Sequence, residues 1–166
     1  MNSESPSAAT ALGSALSSAL ICRIGDRLLA LPLTAVVETM RPLPVEAFGG
    51  TPTFIPGLAM IRGAVVPVVD VRLLLGADQA GESAPERFVT VSTGHRIVAL
   101  AVDAVLGLRT LDDVALPALP ALLDSAGLEV LSAIGTLDAQ LLLVLDRARL
   151  VPESVWALVP EPATAC

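Results

Sequence analysis

A pattern of apolar segments occurs twice along the chain, and this internal repeat limits the possible folds more than any other feature. Residues 25–33 contain Gly-x-Arg followed by an apolar run, and residues 94–102 repeat the pattern 69 positions later. In a second pair, residues 66–73 resemble residues 142–150, with the matching aspartates 76 positions apart. Internal similarity of this kind indicates two related subdomains. Chance similarity between two apolar strand pairs is the alternative.

The repeated segments have the composition of β-strands. They are about five to nine residues long, rich in Val, Ile and Leu, and bounded by Gly, Pro or Asp, which predicts strands joined by tight turns. Gly25 and Gly94 stand where hairpin turns are expected. Residues 97–102 and 141–145 are apolar on both faces and therefore predict strands covered on both sides. Two small barrels packed against each other meet this requirement, and Pro67 indicates an edge strand or a bulge.

The pattern and the composition together predict the domain boundaries. The chain has 166 residues, of which 54% are hydrophobic, so it can bury a sizeable core. Residues 1–18 are rich in Ser and Ala and are expected to form a disordered leader. The globular domain is expected at residues 19–151, with one barrel at about 19–80 and the other at about 85–151. Residues 152–166 are expected to hold a C-terminal helix and tail.

Charge and hydropathy exclude several classes of protein. The net charge is -7, which argues against non-specific binding to nucleic acid or to anionic lipid. No run of about 18 uninterrupted apolar residues is present, as a membrane-spanning helix requires. Residues 1–18 lack the positively charged segment of a secretory signal. A cytoplasmic protein without direct membrane insertion is expected.

The residues that catalysis or metal binding would need do not converge in the sequence. The single His95 lies in a predicted turn, where a solvated side chain is favoured over a general base. Cys22 and Cys166 have no metal-ligand or C-x-x-C spacing. No G-x-S-x-G, P-loop or H-E-x-x-H motif occurs. No enzyme activity, cofactor or metal is therefore expected. A protein-binding module is favoured by elimination, and a small-molecule sensor is the alternative.

One segment, residues 51–72, is far more specific than the rest of the chain. It reads P-x-F-I-x-G-L-x-x-I-R-G-x-V-V-P-V-V-D-V-R from Pro52 onward. This closely resembles the signature of the CheW-like coupling proteins of bacterial chemotaxis, and the resemblance extends over residues 20–151. It implies an all-β fold of two five-stranded SH3-like barrels that share a hydrophobic core, with short helices. That fold agrees with the repeat.

The resemblance also implies a role and partners. The chain would be an adaptor that couples the cytoplasmic tips of methyl-accepting chemoreceptors to the regulatory domain of the histidine kinase CheA. It would be cytoplasmic and recruited to receptor arrays at the inner membrane, without nucleic acid or cofactor. The alternative is a CheW-like adaptor of a divergent receptor–kinase pathway, such as surface motility or second-messenger signalling. The leader and the Leu/Pro-rich insert at residues 114–127 could carry a partner preference of their own.

Site residues follow from the resemblance position by position. Val36 and Gly57 match kinase-contacting positions, with core packing and a turn that requires φ > 0 as the respective alternatives. Receptor contacts are expected at an Arg–Glu pair and around a groove between the barrels, at Glu38, Arg62, Val65, Ala99, Val105 and Leu108. A plain surface salt bridge is the alternative for the pair, and core burial is the alternative for the apolar positions. Met60 and Ala99 depart from the Asn and Gly that are common in the family.

Overall fold

The computed structural model describes residues 17–75, 84–111 and 131–160. The predicted insert at 114–127 and nearly all of the predicted leader lie outside the described residues. The described chain is mostly β, which confirms the predicted fold class. Its strands are β1 (Ser18–Ile24), β2 (Arg27–Pro32), β3 (Val36–Met40), β4 (Val45–Glu46), β5 (Gly57–Ile61), β6 (Ala64–Asp70), β7 (Arg87–Thr93), β8 (Arg96–Val102), β9 (Ala104–Thr110), β10 (Leu131–Leu137) and β11 (Gln140–Leu145). Its helices are α1 (Val71–Leu74), a 3-10 helix (Arg147–Arg149) and α2 (Glu153–Trp156).

The local sequence accounts for the start of each repeat. Gly25 and Gly94 adopt φ values of +60° and +79°, which suit the tight turns between β1 and β2 and between β7 and β8.

Asp70 ends β6 and begins α1, because its carboxylate accepts hydrogen bonds from the backbone N–H groups of Arg72 and Leu73. A side chain that accepts from the first free N–H groups of a helix is a typical N-cap. Asp70 therefore has the capping role that its position after a strand suggests.

The strands form two mixed sheets that have the same internal order. The first sheet runs β10-β11-β2-β1-β9, and the second runs β3-β7-β8-β6-β5-β4. Through the sequence repeat, the strands β7, β8, β9, β10 and β11 correspond in turn to β1, β2, β3, β5 and β6. With this matching the two sheets have the same strand order, apart from the additional β4. The second sheet therefore has six strands where five are expected. The extra strand is only two residues long and pairs with β5 through Val45 and Glu46.

The parallel pairings show how closely the two sheets correspond. In the first sheet Val144 of β11 lies opposite Ala30 of β2, and in the second Val68 of β6 lies opposite Ala99 of β8. Val68 and Val144 are 76 positions apart, and Ala30 and Ala99 are 69 apart, which are the two offsets of the sequence repeat. The repeat is therefore structural, and chance similarity is not needed to explain it.

The two compact units do not coincide with the two sequence repeats. Among the described residues, one unit combines 17–36 with 105–111 and 131–146, and the other combines 37–75 and 84–104 with 147–160. The expected division of the chain at about residues 80–85 is thus corrected. The physical reason lies in the parallel ladders, because the hairpin that opens each repeat pairs with a strand of the other repeat. Each sheet contains two strands of one repeat and at least three of the other.

Each unit has a hydrophobic core cluster of its own, and a core shared by both units stays a prediction. The first cluster consists of Ala19, Ile21, Leu28, Ala30, Leu111, Ala133, Leu142 and Val144. The second consists of Ala59, Ile61, Val66, Val68, Phe88, Ala99 and Ala101. Both clusters alternate along their strands, as expected for sheets that curl around a core.

Pro67 does not have the strand position predicted for it. It was predicted at an edge position or a bulge, but it lies in β6, an interior strand between β5 and β8, and the pairs of β5 with β6 show no register shift. The registered pairs of β6 with β8 begin at Val68, one residue after the proline. Pro67 itself is registered opposite Leu58 of β5. Its missing N–H group therefore falls just outside the parallel ladder, where a proline is tolerated.

Candidate functional site

Arg62 occupies the tip of the hairpin that joins β5 and β6. The loop has only two residues, Arg62 and Gly63, with φ values of +50° and +79°. Positive φ at both positions is the geometry of a type I′ turn, whose twist matches that of the flanking strands. The turn holds the backbone of Arg62 outside the sheet and leaves its side chain 79% exposed. An arginine in the middle of an apolar segment thus reaches solvent without disturbing the core.

Arg62 forms a two-pronged ion pair with Glu38 of β3. Its Nε lies 2.8 Å and 3.0 Å from the carboxylate oxygens Oε1 and Oε2, and Nη2 lies 2.7 Å from Oε2. This side-on arrangement fixes the orientation of both groups more tightly than a single contact does. Hydrogen bonding to Arg62 lowers the pKa of Glu38 below its ordinary value of 4.5. The pair expected from the resemblance is therefore formed and stays charged at neutral pH.

Thr90 of β7 fixes the backbone of Glu38 through two hydrogen bonds. Its hydroxyl group accepts a hydrogen bond from the Glu38 N–H at 3.2 Å and donates one to the Glu38 C=O at 3.3 Å. Thr90 is 1% exposed and is the one buried polar residue among the described residues. No sequence pattern indicates this role, because a threonine in a strand is ordinary. Together Thr90 and Arg62 hold both the main chain and the side chain of Glu38.

A groove of about 590 Å³ opens beside this ion pair, within the second unit. Aliphatic side chains of β3, β5, β6 and β8 line it together with a few charged and polar groups. The lining residues are Val37, Glu38, Ile61, Arg62, Ala64, Val65, Val66, Thr90, His95, Arg96, Ile97, Trp156, Val159 and Pro160. A largely apolar lining with a few polar groups is typical of a binding site.

The C-terminal helix α2 provides one wall of the groove. The guanidinium carbon of Arg96 lies 4.7 Å from the ring centroid of Trp156, a distance typical of a cation–π contact. Arg96 also donates to both carboxylate oxygens of Glu153, at 3.1 Å and 3.3 Å. Arg147 donates to the carbonyl oxygen of Ser92 at 2.6 Å, so the 3-10 helix is attached to the β7–β8 hairpin. These contacts hold the last described segment against the second sheet.

The structure places three of the predicted receptor-binding residues at this groove. Glu38, Arg62 and Val65 all line it. Val105 and Leu108 lie instead on β9, in the first unit, where Leu108 is 60% exposed and Val105 is half-buried. Ala99 is wholly buried in the core cluster of the second unit, so the core alternative holds for its side chain. The methyl group that distinguishes it from the common Gly packs inside the protein.

The two predicted kinase-binding residues have different environments. Val36 is the half-buried first residue of β3. Gly57 is buried at the start of β5, and a Cβ atom there would lie 1.9 Å from the carbonyl oxygen of Glu46. The close approach that Gly57 permits is therefore to β4 of its own chain. A kinase contact at either residue stays a prediction.

The first unit carries a similarly placed ion pair, between a hairpin tip and the edge strand β9, with the charges exchanged. Asp138 lies at the tip of the β10–β11 hairpin with φ of +50°, 76 positions after Arg62. Its Oδ2 accepts a hydrogen bond from Nη1 of Arg109, on β9, at 2.9 Å. Because β9 and β10 are the opposite edges of the first sheet, this bond shows that the sheet curls until its edges meet. The sequence repeat alone did not reveal the second pair.

Across residues 17–75, 84–111 and 131–160, no group of three or more metal-binding side chains comes together. His95 is exposed in the β7–β8 turn at the rim of the groove, as expected. No helix among the described residues is long and apolar enough to cross a membrane.

Comparisons with known proteins agree with this picture. A family model described as the CheW-like domain matches residues 18–155. The chemotaxis protein CheW of Klebsiella aerogenes is 28% identical over 146 residues, which is 87% of each chain. Protein FrzA of Myxococcus xanthus is 34% identical over 87 residues, which is 52% of this chain and 54% of that protein.

A solved structure has the same fold. The scaffolding protein TtCheW from Thermoanaerobacter tengcongensis matches with a TM-score of 0.68 and 20% identity, over 87% of this chain and 99% of that one. The two mixed sheets and this neighbour define the fold class, a mostly β protein with an SH3-like fold. Since the family model matches residues 18–155, the chain belongs to the CheW-like domain family, as its sequence signature predicts.

Proposed function

We propose that this protein is a chemotaxis adaptor that couples chemoreceptors to the histidine kinase CheA. The observation that carries the proposal is the match of the CheW-like family to residues 18–155, in a chain whose groove is open to a partner. The relatives named as chemotaxis proteins support the same role. Coupling requires no chemistry, because a scaffold transmits a signal through its different affinities for the states of its partners.

The finer contacts are also proposals. The receptor's cytoplasmic tip contacts the groove at Glu38, Arg62 and Val65, and the regulatory domain of CheA contacts the region of Val36 and Gly57. Val105 and Leu108 give the receptor a second contact, on the first unit. The protein works in the cytoplasm, recruited to receptor arrays at the inner membrane.

A binding experiment with a charge reversal tests the proposal. The full chain is titrated by calorimetry with a receptor cytoplasmic fragment and, separately, with the kinase regulatory domain from the same organism. Both are expected to bind, and Arg62→Glu is expected to weaken receptor binding at least fivefold, because it places two carboxylates together. The variant should stay folded, with only a small drop in melting temperature, because an exposed ion pair contributes about 1 kcal/mol or less. Arg87→Glu is the matched control, since Arg87 is exposed on β7 and does not line the groove.

The possible outcomes separate the alternatives. Kinase binding without receptor binding would favour an adaptor of a divergent pathway. Failure to bind either partner would refute the proposal. Unfolding of Arg62→Glu would make Arg62 a structural residue and remove it from the receptor contact.

A further inference from the structure

We infer that residues 152–160 form a strap that controls access to the groove of the second unit, and that Arg96 holds this strap closed. The closed strap is a wall of the groove, and the open strap leaves that side of the groove exposed to solvent. Opening takes place while the strands of the second sheet stay paired. This inference goes beyond the proposed function, because it concerns a motion of the chain itself and holds for any occupant of the groove.

The backbone hydrogen bonds of the strap are independent of the sheet. The N–H groups of residues 155–159 donate to carbonyl oxygens of residues 152–156 at 2.9–3.2 Å. These five hydrogen bonds lie inside the strap, and none of them reaches a strand. Release of the strap therefore leaves the ladders of the sheet intact, as local opening at a small free-energy cost requires.

The strap buries little of its own surface. Leu150 and Val151, which precede it, are 0% and 5% exposed and anchor its start. Within residues 152–160, Val155 is the one buried side chain. The helix α2 has four residues and no side-chain cap at Pro152, so it is too short to persist without contacts to the sheet. The strap is therefore a segment of low local stability that starts at a firmly buried base.

Arg96 provides side-chain contacts that hold the strap closed. Its guanidinium carbon lies 4.7 Å from the ring centroid of Trp156, and its Nη1 donates to both carboxylate oxygens of Glu153 at 3.1 Å and 3.3 Å. Glu153 and Trp156 are three positions apart and thus lie on the same side of α2. Because the side chain of Glu153 is 84% exposed, its ion pair is weak, and the cation–π contact is of similar size. Two weak contacts at one residue favour the closed strap but permit its opening.

The strap and Arg96 both line the groove. Trp156, Val159 and Pro160 of the strap are lining residues, and so is Arg96 itself. Opening removes these three strap side chains from the groove together and uncovers the site in which Val155 is buried. The apolar surface that the groove offers thus depends on the equilibrium between closed and open strap, and a ligand that prefers one state shifts that equilibrium.

A probe on the strap tests whether Arg96 holds it. Trp156 is the single tryptophan of the chain, so 5-fluorotryptophan places one ¹⁹F NMR probe on the strap of the full chain. In Arg96→Gln this resonance is expected to move toward its position in the urea-unfolded chain. Amide hydrogen exchange at Ala157 should become at least fivefold faster, while exchange at Leu100 of β8 stays unchanged. Arg87→Gln is the matched control, since Arg87 is exposed on β7 and does not line the groove, and it should change none of these signals.

Exchange of the two charges tests the contact itself. Arg96→Glu and Glu153→Arg each place like charges together, so both should open the strap and speed exchange at Ala157. The double variant restores an ion pair with its charges reversed, so exchange should be slower than in either single variant. Nile red, a neutral dye that fluoresces on apolar surface, should give at least threefold more fluorescence with Arg96→Glu than with the wild type. The double variant should give an intermediate value.

Three results would each overturn the inference. Exchange at Ala157 no faster than at Leu100 in the wild type would mean that the strap opens only when the sheet unfolds. Equal exchange at Ala157 in Arg96→Gln and the wild type would show that Arg96 does not hold the strap. Equal dye fluorescence with Arg96→Glu and the wild type would show that opening exposes no part of the groove. The proposed function would survive all three, because it is tested by the binding of the receptor and kinase fragments.

Discussion

The hydroxyl group of Thr90 forms two hydrogen bonds with the backbone of Glu38, which lies 52 residues earlier in the sequence. One side chain thus serves both the N–H and the C=O of a residue on the neighbouring strand. Because Glu38 in turn orients Arg62, the position of the exposed ion pair depends on a buried threonine. The groove and the core are connected through this contact.

Replacing Thr90 tests that connection. Thr90→Val preserves the shape of the side chain but leaves two backbone groups of Glu38 without their partner, so a loss of about 1–3 kcal/mol in unfolding free energy is expected. Thr90→Ser retains the hydroxyl group and should lose less. Urea unfolding followed by the fluorescence of Trp156 measures both variants. Equal stability of Thr90→Val and the wild type would show that the hydrogen bonds contribute nothing.

The Glu38–Arg62 pair predicts a specific pH dependence. Because the folded-state pKa of Glu38 lies below its ordinary value of 4.5, the contribution of the pair to stability is complete above that value. It is lost as the pH falls through the lowered folded-state pKa. A carboxyl-carbon NMR titration should therefore place the Glu38 midpoint below 4.5. In Arg62→Gln the midpoint should rise toward 4.5, and in Arg87→Gln it should not move.

Gly57 provides a steric prediction. A Cβ atom at this position would lie 1.9 Å from the carbonyl oxygen of Glu46, so Gly57→Ala must push β4 away from β5. We expect a loss of about 1–3 kcal/mol in unfolding free energy, the usual cost of forcing extra atoms into a packed site. Gly49→Ala is the control, because a Cβ atom there meets no atom within 4 Å. Denaturant unfolding compares the two, and a stable Gly57→Ala would contradict the packing described.

The thiol of Cys22 should react slowly with labelling reagents in the folded protein. Burial raises the pKa of its thiol to about 12, so the reactive thiolate is scarce at pH 8. In a Cys166→Ser background, labelling by 5,5′-dithiobis(2-nitrobenzoate) is expected to be slow in buffer and fast in concentrated urea. The absorbance of the released thiolate measures both rates. Rapid labelling of the native protein would show that β1 opens far more readily than its core position suggests.

Local features of the fold could be predicted from the sequence. The hairpin turns at Gly25 and Gly94, the strands that flank them and the cap at Asp70 all depend on neighbouring residues. The Glu38–Arg62 pair was predicted only through the family resemblance, because no local pattern joins residues 24 positions apart. The family signature in residues 51–72 then supplied the fold class.

The assembly of the units was not predictable in the same way. Which hairpin joins which sheet depends on parallel pairing between residues far apart, such as Val144 and Ala30, and local patterns carry no information about it. The contact of Arg96 with Trp156 links positions 60 apart and has no local pattern that would reveal it. Thr90 is a similar case, because its importance lies in the neighbour it meets.

The two ion pairs, with their opposite polarity, have a consequence for how the chain avoids errors during folding. Because the repeats are similar, the β5–β6 and β10–β11 hairpins could exchange places and lie beside each other's partner strands. Such an exchange would bring Asp138 toward Glu38 and Arg62 toward Arg109, and like charges at both tips would repel. The opposite charges thus favour each hairpin beside its own edge strand, in a molecule whose two repeats share a pattern of apolar segments.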